Sequence, residues 1–314
     1  MSIVITGAAG FIGGNLSQRL LNEGYHVVGV DSVTDYYDVS IKRAVLGSLA
    51  PHPSFDFHEL DLAHDDLAPL LKNAEAVVHL AAQPGVRLSW SDQFPVYVQR
   101  NLIATQRLLD TFSKRPDVPI HFASSSSVYG DAARYPTTES TPLEPRSPYG
   151  VTKVATERIA YSYAKNFGMR TVGLRFFTVY GPGQRPDMAT HRLIRAALDG
   201  TAFPLFGTGE QLRDFTYVDD VCDAVVALLN REVSVGMTPL NVGGTGETSM
   251  LALIAAVEQS TGRSIRIDAL PAQAGDVFRT GADITAIQEL IGWAPSTLLI
   301  EGIAAQVESI RARG

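Results

Sequence analysis

Apolar residues recur along the first half of the chain in two alternating rhythms. Short apolar runs, several of them β-branched, stand at residues 3–5, 27–30, 55–60, 76–80, 119–123 and 171–174. Runs of this length, bounded by glycine, proline or polar clusters, predict strands, and those without strict alternation predict strands buried on both faces. Between them lie segments with apolar residues at helical spacing: 11–21, a short one at 66–71, a long one at 96–112 and another at 149–166. Strands that alternate with helices predict βαβ units and a parallel sheet. The first 176 residues therefore read as an α/β, Rossmann-type doubly wound parallel sheet.

Beyond Arg175 the rhythm loosens. Pro182, Pro186 and Pro204 divide the chain into shorter elements. A regular stretch returns at 215–229, and the segment to about 242 is expected to rejoin the first lobe. From Thr245 onward the pattern reads as helix, strand and two more helices. The expected organisation is a first lobe over 1–176 and a smaller, mixed α/β lobe over 177–314 that caps it.

Composition narrows the function. A chain of 314 residues exceeds the usual ~100–200 residues of one domain, in keeping with two lobes. Asp and Glu number 33 against 26 Lys and Arg, for a net charge of −7, so no basic surplus exists to grip nucleic acid. The pair Tyr36-Tyr37 is accordingly read as a loop lining a cofactor and not as a base-stacking patch. No run approaches the ~20 apolar residues of a membrane span. Cys222 is the one cysteine, which excludes an internal disulfide framework and leaves it to pack as a small apolar residue. From Met1 the chain enters an apolar run with no charged region before it, so no secretory leader is expected, and the expected compartment is cytoplasmic. His79, His121 and His191 show no metal-ligand spacing, and no metal site is expected. There is no G-x-S-x-G elbow of a serine hydrolase.

Two constellations carry chemistry. The first is Gly7-Ala8-Ala9-Gly10-Phe11-Ile12-Gly13, which follows a predicted strand and opens a predicted helix. Glycine lets the backbone turn tightly and approach a pyrophosphate at the positive helix end. Asp31 ends the second strand, where its carboxylate can bond both hydroxyls of a ribose and repel a 2′-phosphate. Ser32 and Val33 supply no cation to offset that, so NAD is expected in preference to NADP. Asp61-Leu62 follows the third strand and reads equally as a helix N-cap or an adenine contact.

The second constellation is Tyr149 and Lys153, four apart and hence on one helix face, with the run Ser124-Ser125-Ser126-Ser127 after the fifth strand. A tyrosine has a pKa near ~10 and is a poor base at neutral pH. A lysine ammonium and a nicotinamide cation beside it would favour the phenolate. Such a phenolate takes a proton from a sugar hydroxyl while hydride leaves for NAD.

With these residues in view, the chain resembles the extended short-chain dehydrogenase/reductases, and among them the nucleotide-sugar 4-epimerases. GAAGFIGG, HLAAQPGVR, SSSSVYG, SPYGVTK, LRFFTVYGPGQRPDM, RDFTYVDD and GDVFRTGAD all fit family patterns and together span essentially the whole chain. The resemblance implies tightly held NAD, contacted also by Leu80, Ala81 and Ala82, and a UDP-sugar beneath the second lobe. It implies Ser125 as the catalytic Ser/Thr and Ser127 as a second hydroxyl facing the sugar. Members that dehydrate or decarboxylate the sugar commonly carry an acid where this chain has Ser126 and Ser127, which favours simple epimerisation. Galactose-type epimerases usually have Asn where Thr178 stands. The segments DSVTDYYDVSIKRA and RFFTVYGPGQRPDM are similar to those of members acting on UDP-glucuronate.

On that likeness Arg185 is expected to pair with a sugar carboxylate through a bidentate fork, with Thr178 and Ser127 as neutral donors. A phosphate contact or a surface ion pair remains open for it, and Arg87 is a rival for the same charge. Arg192 is placed with the substrate. Arg213 and Arg279 are expected on the diphosphate, with ordinary surface charge as the alternative. Asn101 is expected near the substrate, with mid-helix structural bonding an equal alternative. Other sugar-nucleotide enzymes on this scaffold also remain open: an epimerase of UDP-glucose or a UDP-N-acetylhexosamine, or a UDP-glucuronate decarboxylase. So does a non-catalytic NAD sensor, against which Ser125, Tyr149 and Lys153 argue. The resemblance also implies a homodimer formed through the helices at 96–112 and 149–166.

Overall fold

The computed structural model describes residues 1–272 and 275–313. Strand β1 (Ser2–Thr6) passes through the glycine turn into helix α1 (Phe11–Asn22), and then come β2 (His26–Asp31), α2 (Val39–Leu49), β3 (Phe55–Glu59) and β4 (Ala76–His79). Next are α3 (Phe94–Tyr97), a π-helical stretch (Val98–Ile103), α4 (Ala104–Phe112), β5 (Ile120–Ser125), α5 (Pro148–Phe167) and β6 (Arg170–Phe176). The second half runs β7 (Thr178–Tyr180), α6 (Ala189–Asp199), β8 (Ala202–Phe206), β9 (Leu212–Tyr217), α7 (Val218–Leu229) and β10 (Gly236–Val242). It closes with β11 (Glu247–Ser249), α8 (Met250–Thr261), β12 (Arg266–Leu270), α9 (Thr285–Ile291) and α10 (Leu299–Arg313).

The main sheet has seven parallel strands in the order β10-β6-β5-β4-β1-β2-β3. The expected doubly wound α/β class therefore holds. Alternation along each strand builds two cores at once. Ile3 and Ile5 of β1 and Val78 of β4 join a core with Leu16 and Leu20 of α1 and Val221, Val225 and Leu228 of α7. Their neighbours Val4 and Val77 join the opposite core with Leu108, Leu109 and Phe112 of α4 and Ala160 of α5. Successive strand residues point to opposite faces, and each buried Val, Leu or Ile contributes about 1.5–3 kcal/mol. Cys222 packs into the first core, where burial pushes its thiol up.

The second lobe has its own core, in which Leu193 and Ile194 of α6 meet Leu253 and Val257 of α8 and Ile303 and Val307 of α10. Two small sheets edge it, β11-β9-β7 and β12-β8. Here the chain departs from a single boundary at 176. Residues 212–217 form β9 of the small sheet, so the return to the first lobe begins at Val218 and not at 215. A second return follows: Ile287 of α9 and Trp293 enter the main core, and the Trp293 indole donates to the Asp220 carbonyl at 3.0 Å. An apolar pattern reports that a segment is buried but not which core buries it.

Two further differences are local. The periodicity does not single out α2, whose start is marked by Asp38 accepting a bond from the Ser40 amide at 2.9 Å. The helix expected at 96–112 contains one π-helical stretch, and the short one at 66–71 is a 3-10 turn over Ala68–Leu71.

Candidate active site

A cavity of about 800 Å³ opens where the parallel strands end. Residues directly after β1, β4, β5 and β6 line it: Gly7, Leu80, Ser126 and Phe177. The carboxyl edge of a doubly wound sheet is where such folds hold ligands. The second lobe supplies the roof through Arg192, Phe206 and Arg213.

The glycine turn is shaped by close approach. Gly7 has φ 76°, and a Cβ there would lie 2.8 Å from the Ala81 amide nitrogen. A Cβ on Gly13 would meet the Gly7 carbonyl oxygen at 2.1 Å. Gly10 caps α1 with no side chain, so the N–H groups of the first turn take no side-chain acceptor. Phe11 and Ile12 line the same wall. A bare helix N-terminus under a floor of glycine backbone fits a dinucleotide's pyrophosphate.

At the end of β2, Asp31 accepts from the Ala9 amide at 3.1 Å and the Val33 amide at 2.8 Å. These bonds fix the carboxylate at the cavity wall beside Ser32. The tertiary structure adds a cation that the local sequence does not reveal. Lys42 of α2 lines the cavity and donates to Thr34 at 3.1 Å; burial lowers its pKa, and Asp31 partly offsets that. Asp61 caps no helix: its carboxylate accepts from the Ala63 amide at 2.9 Å within a turn, and it lines the cavity with Leu62. Leu80, Ala81 and Ala82 also line it.

Tyr149, Lys153 and Ser125 share this cavity. Ser147 caps α5 through the Gly150 amide, with Pro148 in the first turn, so the helix begins one residue before the tyrosine. Lys153 Nζ donates to the Ala123 carbonyl at 2.9 Å, and burial brings its pKa down to about 8. Burial raises the Tyr149 phenol, while a hydrogen bond from Ser125 and the charge of Arg185 pull the other way. The net direction is upward, and Arg185 is a cation that the sequence reading did not name for this role. Within the serine run, Ser124 donates to Glu157 at 2.6 Å, which leaves Ser125 and Ser127 for the cavity.

Of the residues expected at the substrate, Arg87, Ser127, Thr178, Arg185, Arg192 and Arg213 all line the cavity. Arg213 donates to the Leu212 and Phe278 carbonyls, and burial lowers its pKa. Arg87 lies 4.3 Å over the Phe206 ring and 3.6 Å from Asp276. For two residues the alternative reading describes what the structure shows. Asn101 is buried off the cavity: its side chain accepts from the Gln83 amide at 2.7 Å and donates to the Gln83 carbonyl and Thr152 hydroxyl. All its groups hold the π-helical stretch against the 80–84 loop and α5. Arg279 stands outside the lining, with Nε on the Glu247 carboxylate at 2.8 and 3.0 Å. The sequence reading also misses Asp187, which lines the cavity and binds Arg185. Among the described residues, no three His, Cys, Asp or Glu side chains group as a metal site, and no helix is long and apolar enough to cross a membrane.

Comparison with known proteins agrees with this geometry. A UDP-glucuronic acid 4-epimerase from Bacillus cereus, solved with UDP-glucuronic acid and NAD, superposes with a TM-score of 0.96 at 40% identity, covering 100% of both chains. A UDP-glucuronate 4-epimerase of Thermodesulfobacterium geofontis is 34% identical over 97% of this chain and 94% of its own length. A Bacillus subtilis protein described as an uncharacterized UDP-glucose epimerase is 41% identical over 98% of this chain and 97% of its own. The model of the NAD dependent epimerase/dehydratase family matches residues 3–243, the stretch that holds the glycine turn, Asp31, Ser125, Tyr149 and Lys153. With the residues of that stretch lining the cavity at the carboxyl edge of the sheet, the chain belongs to the NAD-dependent epimerase/dehydratase family.

Proposed function

We propose that the protein is a UDP-glucuronate 4-epimerase, interconverting UDP-glucuronate and UDP-galacturonate through a 4-keto sugar. The observation that carries this is the presence of Arg185, Thr178 and Ser127 on the wall shared with Tyr149. They offer one cation and two hydroxyls to a sugar bearing a carboxylate. The names of the solved neighbour from Bacillus cereus and of the Thermodesulfobacterium relative support the same substrate.

The glycine cradle and Asp31 would hold NAD by its pyrophosphate and ribose, and the bound cofactor would supply a reversible hydride acceptor for C4. The residues of this chain do the rest. Tyr149 Oη takes the proton of the 4-hydroxyl and later gives it back, and Ser125, on the same cavity wall, completes a short proton path. Lys153, anchored on the Ala123 carbonyl, keeps a positive charge under the site. Arg213 faces the diphosphate, and Arg87 and Arg192 border the nucleotide. The 4-keto sugar turns over within the cavity, so its other face meets the cofactor. The single buried thiol fits a reducing, cytoplasmic compartment, and the protein works as a homodimer through α4 and α5.

A second reading, a UDP-glucose epimerase, is favoured by the likeness to the Bacillus subtilis relative described as an uncharacterized UDP-glucose epimerase. Purified holoenzyme incubated separately with UDP-glucuronate and UDP-glucose, followed by product separation, decides between them. UDP-galacturonate is the expected product, with no lasting reduced cofactor. Conversion of UDP-glucose alone would replace this assignment.

A further inference from the structure

Arg185, Pro186, Asp187 and Met188 form one turn, closed by the Met188 amide on the Arg185 carbonyl at 3.2 Å. Proline at its second position presets the backbone. The turn folds the Asp187 carboxylate back onto its neighbour: Arg185 Nε donates to Oδ1 at 3.0 Å and Nη2 to Oδ2 at 3.1 Å. From the opposite lobe, the Tyr36 hydroxyl reaches Oδ2 at 3.4 Å, and its ring lies 5.9 Å from the guanidinium. Asp187 thus meets Arg185 and Tyr36, and its charge also reaches Tyr37 before α2 and Tyr97 of α3.

A guanidinium presents two edges that a carboxylate can fork, Nε–Nη2 and Nη1–Nη2. Asp187 takes the first, so a sugar carboxylate entering the cavity meets the second, end-on edge. We propose that Asp187 is a positioning residue that fixes which edge of Arg185 faces the sugar, and so sets the angle of the C5 carboxylate. The inference rests on the UDP-glucuronate reading given above.

The angle matters because the 4-keto intermediate is a β-keto acid. When its C5–C6 bond stands perpendicular to the carbonyl plane, that bond breaks. Its electron pair enters the 4-carbonyl as an enolate, CO₂ leaves, and the enolate takes a proton at C5. A carboxylate held near the plane is protected. Freed of Asp187, Arg185 keeps its charge but can offer either edge. Anchoring by charge survives, and alignment does not.

The test compares parent, Asp187→Asn and Asp187→Glu holoenzymes in turnover of UDP-glucuronate and in affinity for UDP, which has no carboxylate. For Asp187→Asn we expect KM within about 3-fold of the parent and kcat lower by about 10–100-fold, the scale of a small misplacement of reacting groups. A larger share of decarboxylated 4-keto pentose, with reduced cofactor left behind, accompanies it. UDP affinity stays unchanged, and Asp187→Glu recovers part of kcat. Parent-like kcat and products in Asp187→Asn overturn the proposal. So does a loss of UDP affinity in step with kcat, which marks a merely structural role. A parent inactive on UDP-glucuronate removes the substrate reading and this inference with it. An active parent with a parent-like Asp187→Asn removes the inference alone.

Discussion

Glu157 and Arg175 form an ion pair inside the protein, with Arg175 Nε and Nη2 on the carboxylate at 2.9 and 2.8 Å and both side chains 4% exposed. The pair ties α5, which carries Tyr149 and Lys153, to β6 of the main sheet. Arg175 reaches on to the Tyr129 hydroxyl, which donates to Asn241 of β10 at 2.6 Å. Removing one partner of such a pair leaves a buried charge alone, at a cost of about 3–5 kcal/mol. Glu157→Gln should lower the urea-unfolding free energy on that scale. Replacing Arg175 by Met in the same chain should restore part of it. Loss of under about 1 kcal/mol in Glu157→Gln would show the pair to be energetically idle.

Tyr149 is half-buried on the cavity wall, and its phenol oxygen is the group assigned to the sugar proton. Tyr149→Phe keeps the ring and its edge contact with Tyr97, whose centroid is 6.2 Å away. NAD should stay bound while turnover falls by ~10²–10⁴-fold, the usual contribution of a positioned acid–base. Near-normal turnover in steady-state assays would remove Tyr149 from the mechanism.

Acid should destabilise the fold through two buried histidines. Burial holds His79 down at about 3 and His121 at about 4. Neither ring nitrogen of His121 has a hydrogen-bond partner among the described residues. A base with a depressed native pKa binds its proton more readily when unfolded. Its contribution is therefore complete above about 6.5, the ordinary histidine value, and is lost as pH falls toward about 4. The slope approaches about 1.4 kcal/mol per pH unit for each histidine. Asp214, raised to about 6 by burial, opposes them between about 4 and 6. Unfolding free energies of His121→Leu measured between pH 4 and 7 should show a shallower acid limb than the parent. Parallel limbs would contradict the assignment.

The faces expected at a dimer contact are apolar and open. Ile103 is 40% exposed, and Val151 and Tyr161 of α5 are 50% and 51% exposed. Light scattering at micromolar concentration should give the mass of two chains, and Val151→Asp should shift it toward one. A parent of one-chain mass would exclude the homodimer.

What the sequence alone determined is local. The run Ile3–Ile5 with Gly7, Gly10 and Gly13 is a strand, a turn and a helix start: Gly7 holds φ 76°, and a Cβ on Gly13 would strike the Gly7 carbonyl oxygen. Asp31 ends the apolar run Val27–Val30, which forms β2. Tyr149 and Lys153 share a face because a helix repeats every 3.6 residues. Each of these needs only a few consecutive residues to be correct.

The tertiary structure decided which partner each long polar side chain finds. Asn101 and Arg279 carry family-like motifs, yet one is engaged by Gln83 and Thr152 and the other by Glu247. Lys42 reaches the cofactor wall from a helix that periodicity does not single out. Residues 285–293 return to the first core between α8 and α10 of the second lobe. The fork of Arg185 is half engaged by its own neighbour Asp187, and the free edge is set by the turn between them. A motif encodes residue type and spacing. A hydrogen bond depends on where two distant backbones come to rest, and that is settled only when the cores pack.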